Sequence, residues 1–161
     1  MDTNALKPFR MKIRNLYISR GHNFFGHHGQ APGQHPIIDV PEIQCIASRG
    51  ICRDRFFDYK EHYKGQITFF AAEVYEILCR TLAIHDKGAA TFRRNVLTEG
   101  ADLNSLIGTE FEVQGIRFHG VEECSPCYWM NGAFAAGAEA LMKGRGGLRA
   151  RILTDGHLRV E

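Results

Sequence analysis

Residues 11–19 (Met-Lys-Ile-Arg-Asn-Leu-Tyr-Ile-Ser) alternate long apolar and polar side chains, the period-two pattern of a half-buried strand. Residues 37–47 hold two short apolar clusters split by Pro41, and 42–47 read as a second strand. Residues 67–70 (Ile-Thr-Phe-Phe) form an apolar run short enough for a buried strand. From 72 to 84 the spacing becomes helical, with Ala72, Val74, Tyr75, Ile77, Leu78 and Leu82 on the pattern and Gly88 as a stop. A short strand follows Asn95, and 102–106 read as one helical turn. Residues 110–113 and 116–122 alternate strongly around Gln114-Gly115, which predicts a β-hairpin. Tyr128 to Met142 give a helical pattern broken by Gly132 and Gly137. Residues 148–154 and 157–161 read as a closing hairpin turning at Asp155-Gly156. The sum is seven or eight short strands, one good helix and one broken one. That predicts a mainly β, α+β fold: a mixed, mostly antiparallel β-barrel with a few peripheral helices.

Composition narrows the setting. The chain has 161 residues, 44% apolar and 24% charged, which suits one globular domain. We expect that domain over 11–161, behind a flexible leader at 1–10. The net charge of +2 is too small and too scattered to indicate nucleic acid. Five cysteines is an odd number, unlike a secreted disulfide framework. The first ten residues contain no apolar signal region, and no run is long enough to span a membrane. A cytoplasmic location follows as the expectation. An exposed strand edge offers a route to a homodimer.

Candidate chemistry centres on Glu122-Glu123-Cys124-Ser125-Pro126-Cys127-Tyr128-Trp129, where a strand runs into a helical pattern. A thiolate is both nucleophile and soft metal ligand, and a helix N-terminus favours it. A pair of small buried apolar residues is the plainer account of the same cysteines. Arg49, Arg53 and Arg55 lie within seven residues and could fork around an anion or form a solvated turn. Arg93-Arg94-Asn95 stand directly before a strand and offer similar chemistry. His22, His27, His28 and His35 crowd the glycine-rich segment 20–36. We read that segment as a solvated loop, since no carboxylate or cysteine joins them at metal-site spacing. Residues 144–147 read as a flexible basic loop. Zinc held by Cys124 and Cys127 with Cys45 and Cys52 is a further alternative, at unfavourable spacing.

Six motifs in order carry a resemblance: Arg-Gly-Ile-Cys-Arg-Asp-Arg-Phe, Gly-Gln-Ile-Thr, Arg-Arg-Asn-Val, Asp-Leu-Asn-Ser-Leu-Ile-Gly, Cys-Ser-Pro-Cys and Arg-Gly-Gly-Leu-Arg-Ala-Arg. Together, over about residues 11–160, they resemble the MOSC domain found at the C-terminus of molybdenum cofactor sulfurases. The resemblance implies a β-rich MOSC fold and one cysteine, matching Cys127, that ligates molybdenum or carries sulfur. It implies that Arg93 or Arg94, with Asn95, faces the pterin phosphate. Arg55 matches a second cofactor-facing arginine, and Gln66 and Thr68 fall near the site. Cys124 is an extra cysteine beside the family one. Relatives that reduce N-hydroxylated compounds carry an added electron-transfer or β-barrel domain; the resemblance therefore implies a separate electron-donor protein here. The alternative is a sulfur carrier that holds a persulfide on Cys127, loaded by a cysteine desulfurase, with Cys124 resolving it.

Overall fold

The computed structural model describes residues 10–161. The leader expected over 1–10 therefore lies outside the described residues, apart from Arg10. The described strands are β1 (Lys12–Ile18), β2 (Ile38–Val40), β3 (Glu42–Ile46), β4 (Gly50–Ile51), β5 (Ile67–Ala71), β6 (Val96–Glu99), β7 (Glu110–Val113), β8 (Ile116–Glu123), β9 (Leu148–Ile152) and β10 (Gly156–Arg159). The helices are α1 (Ala72–Leu82), α2 (Trp129–Ala133) and α3 (Ala138–Met142). This is the mixed, mostly antiparallel α+β fold that the pattern predicts.

The strands make two sheets rather than one closed barrel. A seven-stranded sheet runs β2-β1-β6-β5-β9-β8-β7, and a three-stranded sheet runs β10-β3-β4. The β5–β6 pair is parallel, which α1 makes possible by carrying the chain back across the sheet. The predicted hairpin at Gln114-Gly115 forms, with Phe111 opposite Phe118 and Val113 opposite Ile116. The closing hairpin does not. β10 leaves β9 and pairs with β3, Leu158 opposite Ile43. The cause lies at the corner between them. Ser48 N–H donates to Ile152 O at 2.9 Å, and Ala47 N–H donates to the Asp155 carboxylate at 2.7 Å. Those bonds turn the chain toward β3 before a tight turn can close.

Each face of the large sheet buries its own core. Between the two sheets lie Ile13, Leu16, Ile43, Ile67, Phe69 and Phe118 with their neighbours. Under the helices lie Tyr17, Phe70, Leu78, Phe92, Phe134 and Met142. β5 serves both, sending Ile67 and Phe69 one way and Phe70 the other. Each such aromatic side chain contributes roughly 1.5–3 kcal/mol by leaving water. Helix α1 places Glu73 in its first turn and Arg80 in its last, matching the helix dipole. It ends before the expected stop, at Ala83 (φ 52°) instead of Gly88. Tyr75 donates its hydroxyl to Lys87 O at 2.6 Å, and Lys87 Nζ donates to Phe134 O at 2.6 Å, so the chain beyond Ala83 is held against α1's flank rather than along its axis.

Candidate functional site: a cavity of thiols and arginines

The site grows from strand ends on the helix-covered face. Strand β8 delivers Cys124, whose N–H donates to Gly147 O at 2.8 Å. The segment expected as a flexible loop, 144–147, is in part a tight backbone seat. Gly146 and Gly147 are buried, and a Cβ on Gly146 would strike Cys124 O while one on Gly147 would strike Phe69 O. Gly147 also holds φ 116°, open to glycine alone without strain. Four residues past β8, Cys127 sits just before α2, its carbonyl accepting from Met130 N–H at 3.1 Å. That helix has five residues, so it brings no long dipole to the thiol.

Arg93 ends a 3₁₀ turn over Ala89–Phe92 in a left-handed conformation, φ 58°. The twist sends the two neighbouring arginines apart. Arg93 donates through Nη2 to Ser19 Oγ and Gly21 O, both at 2.7 Å, and through Nη1 to His35 O at 3.0 Å. Arg94 donates instead to Gly146 O, Phe92 O and Cys124 O at 3.0–3.2 Å. Arg55 pairs with the fully buried Asp54 carboxylate at 3.1 Å, donates to Arg93 O at 3.0 Å and lies over the Phe56 ring. Burial lowers the pKa of Arg55, with Asp54 opposing the shift. Burial, then the charge of Arg55, brings Arg93 down to about 10. Both remain cations at neutral pH.

These groups line one cavity of about 210 Å³. Of the residues expected at the site, Cys124, Cys127, Arg55, Thr68, Arg93 and Arg94 reach its wall. Gln66 and Asn95 do not line it. Gln66 bridges Ser48 O and Ile152 N–H, tying the two sheets. Asn95 accepts from Thr68 N–H and Oγ1 and donates to Tyr17 O, fixing β5 against β6 and aiming Thr68. Of the other basic-turn residues, Arg49 lies at the surface on Asp58 at 2.6 Å and Arg53 is exposed. The zinc alternative has no geometry: among the described residues no group of three or more His, Cys, Asp or Glu could hold a metal ion. Cys45 instead sits in the core between the sheets, where burial pushes its thiol up to about 12.

Several lining residues were not singled out for the site from sequence. Arg149 on β9 reaches the wall. Burial opposes its charge, but the neighbouring Cys124 thiol and then Tyr63 and Glu122 raise its pKa overall. The alternation of Leu148, Ala150 and Ile152 with Arg149 was the available signal. The segment expected to be a solvated loop supplies His22, Asn23, Phe24, Phe25 and His28 to the wall. Burial, then the charge of Arg55, lowers the pKa of His22 and favours its neutral imidazole. Its Nδ1 and the Nε1 of Trp129 are buried without a hydrogen-bond partner. Thiols, unsaturated guanidinium donors, unpartnered ring nitrogens and aromatic walls together suit a flat, anionic, sulfur- or metal-bearing group.

Residues 27–161 match the MOSC domain family model. A comparison with curated proteins finds none that matches. Among solved structures, the chain is similar to YuaD from Bacillus subtilis, with TM-score 0.71 and 17% identity over 93% of this chain and 91% of that one. It is also similar to YiiM from Escherichia coli (TM-score 0.66, 19% identity, 94% of this chain) and YiiM from Geobacillus stearothermophilus (TM-score 0.66, 11% identity, 93% of this chain). It spans 66% and 71% of those two chains, respectively. The neighbours share the fold, and the match over 27–161 fixes the family: this chain belongs to the MOSC domain family, which is associated in general with the molybdenum cofactor and with sulfur chemistry.

Proposed function

We propose that the cavity binds the molybdenum cofactor through the Cys127 thiolate and supports two-electron reduction of N-hydroxylated compounds. The observation that carries this reading is the convergence of Cys127, Arg55, Arg94 and Arg149 on one cavity in a MOSC domain. Thiolate is a soft ligand suited to the metal. The arginines divide by what their donors already hold. Arg93 and Arg94 each serve three protein acceptors. Arg55 and Arg149 are the better grips for an anionic phosphate, because a guanidinium has five N–H groups and fewer of theirs are tied to backbone carbonyls. Bound here, the cofactor supplies the two-electron redox centre. The chain's residues hold its anionic end, exclude water with the Phe24 and Trp129 rings and keep neutral His22 at the wall. The net change is R–NH–OH + 2e⁻ + 2H⁺ → R–NH₂ + H₂O, with electrons from a separate donor protein.

A second reading rests on Cys124. It is 4% exposed, beside Arg149, in the same cavity as Cys127. In a sulfur carrier, Cys127 accepts a sulfane sulfur from a desulfurase. Cys124 thiolate then attacks the inner sulfur, forming the Cys124–Cys127 disulfide and expelling hydrosulfide.

One experiment separates them. Protein from a cofactor-competent host is analysed for molybdenum and for pterin fluorescence, beside Cys127→Ser. The first reading expects near-stoichiometric metal that Cys127→Ser loses with its fold intact. Absence of both signals from wild type overturns it, and a persulfide on Cys127 after incubation with a cysteine desulfurase then supports the second.

A further inference from the structure

The segment between β1 and β2 is built as a wall. Its two ends are tied together: Asn23 Nδ2 donates to His35 O at 2.9 Å, Asn23 Oδ1 accepts from His35 N–H at 2.7 Å, and Gly33 N–H donates to Asn23 O at 2.9 Å. The His35 ring packs so closely on Gly21 that no Cβ fits there. Arg93 grips both ends at once, Ser19 and Gly21 on one side and His35 on the other. The middle of the segment leans on the residues that follow Cys127. Phe24 stacks on Trp129 with centroids 5.2 Å apart, and His28 lies 5.7 Å from Tyr128. Phe25 and His22 close the other side against Phe56, at 5.8 and 4.8 Å. The family match begins at residue 27, so His22, Phe24 and Phe25 precede it.

We propose that Arg93 is a positioning residue that staples the 21–35 segment over the cavity, and that Phe24 and Phe25 on it select by size what reaches Cys127. Arg93 then acts through the loop rather than by gripping an anion. A ligand or protein thiol must pass the aromatic edge between the segment and Trp129. The inference rests on the cavity being the working site, but it requires neither bound cofactor nor turnover.

The test uses the cysteines themselves. Wild type, Phe24→Ala, Arg93→Met and Arg93→Lys are treated with N-ethylmaleimide and with the bulkier fluorescein maleimide, and modification of each cysteine is followed by peptide mass spectrometry. Half-buried Cys52, at the end of β4 in the other sheet, is the internal control. In wild type, the bulky reagent reacts with Cys127 far more slowly than the small one. Phe24→Ala and Arg93→Met raise the bulky reagent's rate at Cys127 by about tenfold, the first by removing the ring that narrows the entrance and the second by loosening loop closure by about one net hydrogen bond's worth. The small reagent's rate changes by less than about threefold, since it already passes the closed loop. Emission from Trp129, the single tryptophan, shifts to the red in both variants. Arg93→Lys recovers part of the wild-type selectivity. Equal acceleration of both reagents, a parallel rise at Cys52, or no change overturns the proposal. Should Arg93→Met fail to fold, Phe24→Ala carries the test, because it leaves the staple in place.

Discussion

The two faces of the seven-stranded sheet use burial in opposite ways. Between the sheets, side chains meet side chains: Phe69 packs edge-on against Phe111 and Phe118 within a cluster of apolar residues. On the helix-covered face the apolar core gives way, at one end, to a region where guanidinium groups meet backbone carbonyls. The first arrangement packs aromatic and aliphatic side chains against one another. The second leaves a cavity of about 210 Å³, and the Phe92, Gly146 and Cys124 carbonyls around it are satisfied by Arg94. A dry core and a polar rim can thus share one sheet when the rim's charges are already paired with dipoles.

Three changes sharpen or break this contrast. Phe118→Ala, on the dry face, should cost about 3–5 kcal/mol in urea unfolding, with the cavity left open where the ring stood; a loss below about 1 kcal/mol would mean that face can collapse and is no jigsaw. Arg94→Met keeps the apolar stem but strips charge-assisted bonds from Phe92, Gly146 and Cys124 carbonyls. It should cost about 2 kcal/mol, and a neutral result would show those carbonyls readily find water. Cys45→Val gives the smallest effect and a pH signature. The folded-state thiol is raised from 9.0 to about 12, so above pH 9 the unfolded chain sheds a proton that the folded one keeps. Stability contributed by that proton is present below pH 9 and lost as pH rises toward 12. The variant should flatten the alkaline decline in melting temperature, and identical profiles would refute burial as the cause.

The legible parts of the fold were those written in local spacing. The β7–β8 hairpin follows from strict alternation around a two-residue turn, and α1 from its helical period. What escaped depended on partners distant in sequence. Asp155-Gly156 carries a strong hairpin signal, yet it lost to Ala47 and β3, more than one hundred residues earlier. The two-residue β4 is below any period. The site divides the same way. The thiols and arginines could be named from their chemistry, and most of them do share one cavity. Asn95 and Gln66 could not be told from ligands, because their hydrogen-bond partners, mostly backbone groups, lie up to 86 residues away. The histidine-rich segment read as solvated because no carboxylate or cysteine joins its histidines at metal-site spacing. Its own Asn23 and the distant Arg93 satisfy the backbone that water would otherwise have served.

The position of β9 has a consequence for how the protein comes into being. It lies between β5 and β8 in the middle of the sheet, and β10 completes the second sheet beside β3. Both strands fall in the last 14 residues, 148–161. On the ribosome, the place between β5 and β8 stays empty until residues 148–152 have emerged. β5, with its run of buried side chains, waits meanwhile with one edge unpaired. The sheet cannot close around β5 before β9 is made, and the partly synthesised chain is the state most exposed to wrong pairing.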